Sequence, residues 1–209
     1  MKKALTLANI QNQVIKKILF TGIWLDAFGN PQNRGLWFIW GGSGSGKSTF
    51  LMMLAKVLAA LDYKVLYNLL EEESDDLDYI ERTQLIGMQE VKDHFLTASY
   101  DLNDLDTYLS SRNSPQVVVI DSLPYLTKSF DEWMVFKRKW SKKKILIVSG
   151  HAKGKNPSTE MQERVMFDAK MKIFVTAYLA ICKGRTIGKN GGRFIIWKEG
   201  YEKLRGQQN

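Results

Sequence analysis

The feature that most constrains the fold of this chain is a glycine-rich loop that fits the pattern G-x-x-x-x-G-K-[ST]. Glycines allow successive backbone N–H groups to turn toward phosphate oxygens, and a helix that begins at the loop adds the positive end of its dipole. Lys47 is placed to reach the β- and γ-phosphates, and Ser48 is placed to hold Mg²⁺. The sequence therefore predicts that ATP with Mg²⁺ binds at this loop and the residue after it: Gly41, Gly42, Ser43, Gly44, Ser45, Gly46, Lys47, Ser48 and Thr49.

Apolar residues along the chain are spaced as expected for strands that alternate with helices. Continuous apolar runs predict buried strands at residues 36–40, 64–70, 116–120 and 145–148, with a minor strand at 95–98. Apolar residues three and four apart predict helices at 6–20, 48–61 and 129–140. Residues 172–182 and 193–198 are predicted to be strands around a turn at 188–192. This order predicts an α/β fold with a mostly parallel, twisted sheet that is flanked by helices and followed by a C-terminal β-hairpin.

Acidic residues stand at the ends of two predicted strands. Asp121 closes the run 117–120, and we expect it to be the second metal-binding group that a phosphate loop requires. Glu71 and Glu72 follow the strand 65–70 and would face the γ-phosphate across the carboxyl edge of the sheet. We interpret them as catalytic residues that orient or deprotonate the attacking water, and we favour Glu71 over Glu72. Lys47 is the third predicted catalytic residue, through its reach to the β- and γ-phosphates. The alternative is that these glutamates belong to a solvated acidic loop.

Two polar residues follow the predicted strand 145–148. Ser149 and His151 should emerge at the same edge of the sheet as the phosphate loop. They are candidates for sensing the γ-phosphate or for transmitting its state to the loop 153–159. For His151, a role as an ordinary surface residue is an equal alternative.

The charge balance indicates an acidic partner. The chain has 30 Lys and Arg against 22 Asp and Glu among its 209 residues, and the sequence pI is about 9.4. The excess is concentrated at 137–144 and 183–205. The single cysteine, Cys182, cannot form an internal disulfide, and no apolar run is long enough for a membrane helix or a secretory signal. These features predict a cytoplasmic protein.

The sequence resembles the RecA-like ATPases, the superfamily that includes RecA, RadA, the hexameric DnaB helicases and KaiC. Residues 117–122 are similar to the second nucleotide motif of that superfamily, and residues 65–76 resemble the strand that ends in paired catalytic glutamates in the KaiC branch. The resemblance covers residues 35–200. It implies a RecA-like P-loop NTPase core at 35–209, preceded at 1–34 by an N-terminal helix and a lead-in segment packed on that core.

The resemblance also implies a partner subunit. The stretch 189–192 is similar to a Lys-Asn-Arg-x-Gly hairpin whose basic side chains reach a neighbouring subunit's nucleotide. ATP would then lie at an interface within a ring or filament. The arginine of that motif is missing here, so the trans-acting residue is expected among Arg185, Lys189 and Arg193.

Resemblance and charge together favour an ATPase of phage or mobile-element type that acts on DNA in recombination or replication. It would work in the cytoplasm of a bacterium or of a phage-infected host cell, with single-stranded DNA as the favoured partner. Lys153 and Lys155 are the candidates for neutralising DNA phosphates. The alternatives are a KaiC-like regulatory ATPase that acts on a protein partner and, third, a small-molecule kinase.

Overall fold

The computed structural model describes residues 4–206, with the backbone alone for residues 205 and 206. Residues 1–3 and 207–209, at the outer ends of the two predicted regions, lie outside the described residues. The strands form one sheet in the order β3-β2-β4-β5-β1-β7-β8-β9, with the short β6 paired to β5. Their bounds are β1 Gly35–Gly41, β2 Val65–Leu69, β3 Phe95–Ala98, β4 Val117–Asp121, β5 Ile145–Lys153, β6 Asn156–Pro157, β7 Met171–Thr176, β8 Leu179–Cys182 and β9 Arg193–Ile195.

Helices cover both faces of this sheet. Their bounds are α1 Leu7–Gln11, α2 Gly22–Phe28, α3 Lys47–Ala60, α4 Leu77–Ile86, α5 Leu102–Leu109, α6 Leu123–Leu126, α7 Phe130–Trp140, α8 Glu160–Asp168 and α9 Lys198–Gly206, with a 3₁₀ segment at Met88–His94. None of the helices within residues 4–206 is both long enough and apolar enough to span a bilayer. The predicted α/β architecture is confirmed.

The central strands are parallel and buried on both faces. β1 lies between β5 and β7, and β4 lies between β2 and β5, all in parallel register. Successive side chains of β1 point to opposite faces: Trp37 and Ile39 enter the core beneath α3, whereas Phe38 and Trp40 enter the core beneath α7. Because parallel strands point the same way, the carboxyl ends of β1, β2, β4 and β5 meet at one edge, and this edge carries the predicted site.

One predicted strand at the C-terminal end is wrong. The sequence predicted a continuous strand at 172–182, but β7 and β8 are antiparallel partners joined by a two-residue turn. Ala177 and Tyr178 both have positive φ, at 46° and 57°, as a type I′ hairpin turn requires. Neither residue gives the usual Asn-Gly or Asp-Gly signal, which is why the sequence did not reveal the turn. The predicted C-terminal hairpin is confirmed in β8 and β9, which pair antiparallel around the loop 183–192.

The predicted helix at 6–20 is also wrong. Only α1 is helical there, and the chain up to α2 has no further regular element apart from an isolated bridge between Lys17 and Gln32. The apolar stripe that suggested a longer helix is exposed, with Val14 at 92% and Leu19 at 66%, so no packed face stabilises it. Instead, Ile18 and Phe20 are buried in the core. The division of the chain at residues 34 and 35 stays a prediction.

Candidate nucleotide site

The phosphate loop connects β1 to α3 in a conformation that only glycine accommodates easily. Gly44 and Gly46 have φ of 69° and 93°, in the left-handed region that disfavours side chains. A Cβ on Gly41 would lie 2.5 Å from the Val175 carbonyl oxygen, so the start of the loop is pressed against β7. Lys47 opens α3 and is only 7% exposed. The loop therefore has the strand–loop–helix context that phosphate binding requires.

Asp121 lies beneath the loop in a network of hydrogen bonds. Its Oδ1 accepts a hydrogen bond of 2.5 Å from Ser149 Oγ, and its Oδ2 accepts one of 2.7 Å from Tyr67 Oη. Lys47 Nζ lies 3.8 Å from Asp121 Oδ1, and both side chains are nearly fully buried. Sheet register explains the cluster, because β4 lies between β2 and β5 and its last residue meets side chains from both neighbours. The Asp121 side chain is thereby fixed in position beside the Lys47 ammonium group.

Tyr67 was not identified from the sequence as part of the site. It is completely buried, and burial, together with the charge of Asp121 and the hydrogen bond to it, raises the pKa of the Tyr67 hydroxyl well above its ordinary value. The hydroxyl therefore stays protonated and donates to Asp121 throughout the physiological pH range. Only its place on a central strand indicated burial; the contact with Asp121 depends on the register between β2 and β4.

Glu71 lies on the side of the site that faces Lys47. Its Oε1 accepts a hydrogen bond from Ser122 Oγ and lies 2.7 Å from His151 Nε2. Partial burial alone would raise the pKa of Glu71, but the Ser122 hydrogen bond, the charge of Lys47 and the contact with His151 outweigh it and lower the pKa. Glu71 is therefore held as a carboxylate, the form that can accept a proton or orient a water molecule.

Glu72 is engaged differently from Glu71. It forms a bidentate ion pair with Arg82 of α4, at 2.8 and 3.0 Å, and the two side chains are 28% and 14% exposed. Burial would lower the pKa of Arg82, but the hydrogen bonds and charge of Glu72 more than compensate and raise it. Sequence reasoning missed Arg82 because nothing in the local pattern of α4 indicates which residue returns to the sheet edge. The structure thus gives the two glutamates different partners.

A cavity of about 630 Å³ lies above these groups. Most of the predicted site residues line it: Gly41, Gly42, Ser43, Gly44, Ser45, Gly46, Lys47, Ser48, Thr49, Glu71, Glu72 and His151. Three further lining residues were not predicted, namely Arg82, Ala152 and Tyr178. Asp121 and Ser149 do not line the cavity, but Asp121 lies 3.8 Å from Lys47, which does, and Ser149 donates a hydrogen bond to Asp121. Its volume is within the range of sites for small-molecule ligands.

Tyr178 reaches the cavity because of the unexpected β7–β8 turn. Its backbone N–H donates to the Ser45 carbonyl at 3.0 Å, and its ring would be 2.8 Å from a Cβ placed on Gly46. Trp197, half exposed, packs edge-on against it with ring centroids 4.9 Å apart. The turn therefore supports the phosphate loop and gives one side of the cavity an aromatic wall.

The residues present fit a phosphate chain and Mg²⁺. Ser45 Oγ is buried without a hydrogen-bond partner among the described residues, inside a loop whose Gly42 and Gly44 have open space where a Cβ would be. Unpaired donors next to open backbone are what phosphate oxygens satisfy. Ser48, at the start of α3, and Asp121, at the end of β4, are the oxygen donors suited to Mg²⁺.

The predicted DNA-contacting lysines lie next to this site. The sequence predicted a loop at 153–159, but Lys153 belongs to β5, and β5 pairs antiparallel with β6 at Ala152 and Lys153. Lys153 and Lys155 are exposed near the tip of the resulting short hairpin. Trp40 Nε1 anchors the hairpin by donating to the Lys155 carbonyl at 3.0 Å. Their role in DNA binding stays a prediction.

The three predicted trans-acting residues lie away from this chain's own phosphate loop. Arg185 and Lys189 belong to the loop 183–192, and Arg193 begins β9; both segments adjoin the end of β8, at the amino edge of the parallel strands. Lys189 Nζ pairs with Asp26 at 3.1 Å. Arg193 is exposed, and its guanidinium lies 3.4 Å from the Tyr201 hydroxyl. A role in a neighbouring subunit's site stays a prediction.

Solved structures share this fold. No protein-family model and no curated protein matches the sequence. The flagellar accessory protein FlaH from Methanocaldococcus jannaschii aligns with a TM-score of 0.62 and 18% identity over 86% of this chain and 91% of FlaH. The KaiC-like protein PH0186 from Pyrococcus horikoshii OT3 aligns with a TM-score of 0.63 and 15% identity over 83% of this chain and 91% of that one. The chain therefore shares the fold of these two structures, and the predicted RecA-like fold is confirmed.

Proposed function

We propose that this protein binds and hydrolyses ATP with Mg²⁺ at the carboxyl edge of its sheet. The observation that carries the proposal is the convergence of Lys47, Asp121 and Glu71 on one cavity that the phosphate loop lines. An ammonium, a buried carboxylate beneath the loop and an ionised carboxylate facing it are the groups that phosphoryl transfer to water requires. Bound Mg²⁺ would supply charge neutralisation at the phosphate oxygens.

Each residue has a distinct part in this proposal. Lys47 neutralises phosphate charge, and Ser48 and Asp121 hold the metal. Glu71 orients the attacking water or accepts its proton, with Ser122 and His151 fixing its carboxylate. His151 contacts Glu71 and lies at the start of the β5–β6 hairpin, so a ligand that displaces Glu71 would also move the hairpin.

Glu72 and Arg82 act as a positioning pair in this proposal. The ion pair ties α4 to the loop after β2 and so limits where Glu71 can lie. Arg82 lines the cavity, and its guanidinium donates to the Glu72 carboxylate. We therefore assign the water-activating role to Glu71 and a supporting role to Glu72.

We further propose that the site is completed by a second copy of the chain in a ring or filament. Of the three predicted trans-acting residues, Lys189 is held by Asp26, and Arg185 faces a separate cavity with Lys170. Arg193 is exposed and free of carboxylate partners among the described residues, which makes it the best supported of the three. A shared site predicts that Arg193→Gln loses turnover. It also predicts that mixing this variant with Glu71→Gln, whose own Arg193 is intact, restores turnover. Full turnover of Arg193→Gln alone would contradict a shared site.

The partner we propose is single-stranded DNA, in recombination or replication. The net charge of +8 and the exposed Lys153 and Lys155 beside the site support this proposal. A KaiC-like regulatory role on a protein partner is the second candidate, and the KaiC-like structural neighbour favours it.

An ATPase assay with and without single-stranded oligonucleotide distinguishes the two candidates. DNA action predicts stimulation that falls steeply with salt and is reduced in a Lys153→Gln, Lys155→Gln double variant. A Lys16→Gln, Lys92→Gln variant removes the same charge from exposed positions outside the basic segments and is the control. Unchanged turnover together with no DNA binding at low salt would contradict the DNA role and leave the regulatory one.

A further inference from the structure

A second cavity lies at the opposite edge of the sheet from the phosphate loop. It has a volume of about 260 Å³ and is lined by the segment before β1, the start of β7 and the loop after β8. Three of its lining side chains are cations, namely Arg34, Lys170 and Arg185, and none is acidic. Trp37 forms part of its apolar wall.

The backbone brings these cations together. The Arg185 N–H donates to the Lys170 carbonyl at 3.0 Å, which fixes the loop after β8 against the start of β7. Gly184 permits this approach, because a Cβ there would be 2.9 Å from the same carbonyl oxygen. Gly35, with φ of 122°, leaves room for the Lys170 side chain, whose Cδ would be 2.8 Å from a Cβ at that position. Two glycines therefore create the place in which the Lys170 ammonium lies.

The positive charge of the cavity is not neutralised within the described part of the chain. The polar contacts of these side chains are to neutral oxygens: Lys170 Nζ donates to Gln32 Oε1 at 2.6 Å, and Arg34 donates to the Lys142 carbonyl at 3.1 Å. No carboxylate among residues 4–206 lies within 4.0 Å of any of the three cations. Burial and the charges of Arg34 and Arg185 lower the pKa of Lys170, as expected for cations held together without an anion.

We propose that this cavity is a binding site for a phosphate group, separate from the nucleotide site and independent of the function proposed above. Among residues 4–206, the two guanidinium groups and the ammonium retain donors that contact no acceptor, and guanidinium groups bind phosphate with paired hydrogen bonds. The cavity is slightly smaller than sites for drug-sized ligands, which suits a compact anion such as orthophosphate or the phosphate end of a larger molecule.

Calorimetric titration of the Lys47→Ala variant with inorganic phosphate at low salt tests this proposal, because that variant weakens phosphate binding at the other edge of the sheet. We expect saturable binding with one site per chain. Adding Arg185→Gln should weaken it at least about tenfold, and adding Arg34→Gln as well should abolish it. Lys189→Gln, which removes the same charge from the same loop, is the matched control and should bind as before.

Arg185 is exposed and its side chain makes no contact that the fold needs, so Arg185→Gln keeps the test valid if Arg34→Gln fails to fold. Absence of phosphate binding to Lys47→Ala, or equal affinity in Arg185→Gln and Lys189→Gln, would overturn the proposal. Competition with a short single-stranded oligonucleotide identifies the source of the phosphate. Displacement assigns the site to a nucleic-acid backbone, and retention assigns it to a small phosphorylated molecule.

Discussion

Replacing Glu71 with glutamine should abolish turnover while preserving the fold. The substitution keeps the shape of the side chain, and the amide oxygen can still accept the Ser122 hydrogen bond, but the group no longer accepts a proton. Loss of a general base costs about 10²- to 10⁴-fold in rate, or about 3–5 kcal/mol of transition-state stabilisation. ATP affinity should be nearly unchanged, because Lys47 and the loop remain intact.

Glu72→Gln is the matched control. It breaks a bidentate pair whose members are 28% and 14% exposed, so the expected cost is about 1–2 kcal/mol of unfolding free energy, or roughly 2–8 °C in Tm for a chain of this size. Steady-state ATP hydrolysis, nucleotide affinity and thermal unfolding should be measured for both variants. The reasoning fails if Glu71→Gln hydrolyses ATP at the wild-type rate. It also fails if Glu72→Gln loses turnover at an unchanged Tm while Glu71→Gln keeps its turnover.

Three further predictions concern the surroundings of the site. Gly41→Ala should lower the free energy of unfolding by about 1–3 kcal/mol, because the added methyl group meets the backbone of β7; the drop is measured as a lower Tm without nucleotide. Gly42→Ala places its methyl group in open space and should change Tm little. Ser122→Ala removes a hydrogen bond that lowers the pKa of Glu71, so that pKa should rise and the acid limb of the pH–rate profile should move to higher pH; an unmoved limb would contradict this. Tyr67→Phe removes a buried donor to the aspartate at the end of β4 and should cost about 1.5–3 kcal/mol in a denaturant titration; a cost near zero would contradict the hydrogen bond.

The parts of the site that local sequence could predict are those that follow directly from a strand end. The phosphate loop, Asp121 and Glu71 each come directly after an apolar run, and parallel strands place such residues at one edge. The central strands were predicted for the same reason, since a run buried on both faces is continuous in sequence.

The parts that sequence reasoning missed depend on long-range register or on tertiary packing. Tyr67 reaches Asp121 only through the pairing of β2 with β4, and Arg82 reaches Glu72 only because of the way α4 packs. Tyr178 entered the site through a turn without glycine or asparagine. The helix predicted at 6–20 failed for the opposite reason, since its apolar spacing was correct for a helix but no surface of the described chain covers Val14 or its neighbours.

The most direct test of the central claim is the binding and hydrolysis of ATP with Mg²⁺ by the wild-type chain and by Lys47→Ala. The structure predicts saturable binding and measurable phosphate release by the wild-type protein, assayed both without and with single-stranded DNA. Lys47→Ala should retain the wild-type fold by circular dichroism and lose turnover. Equal turnover in the two proteins, or no ATP binding by the wild-type chain, would contradict the assignment of this cavity as a nucleotide site.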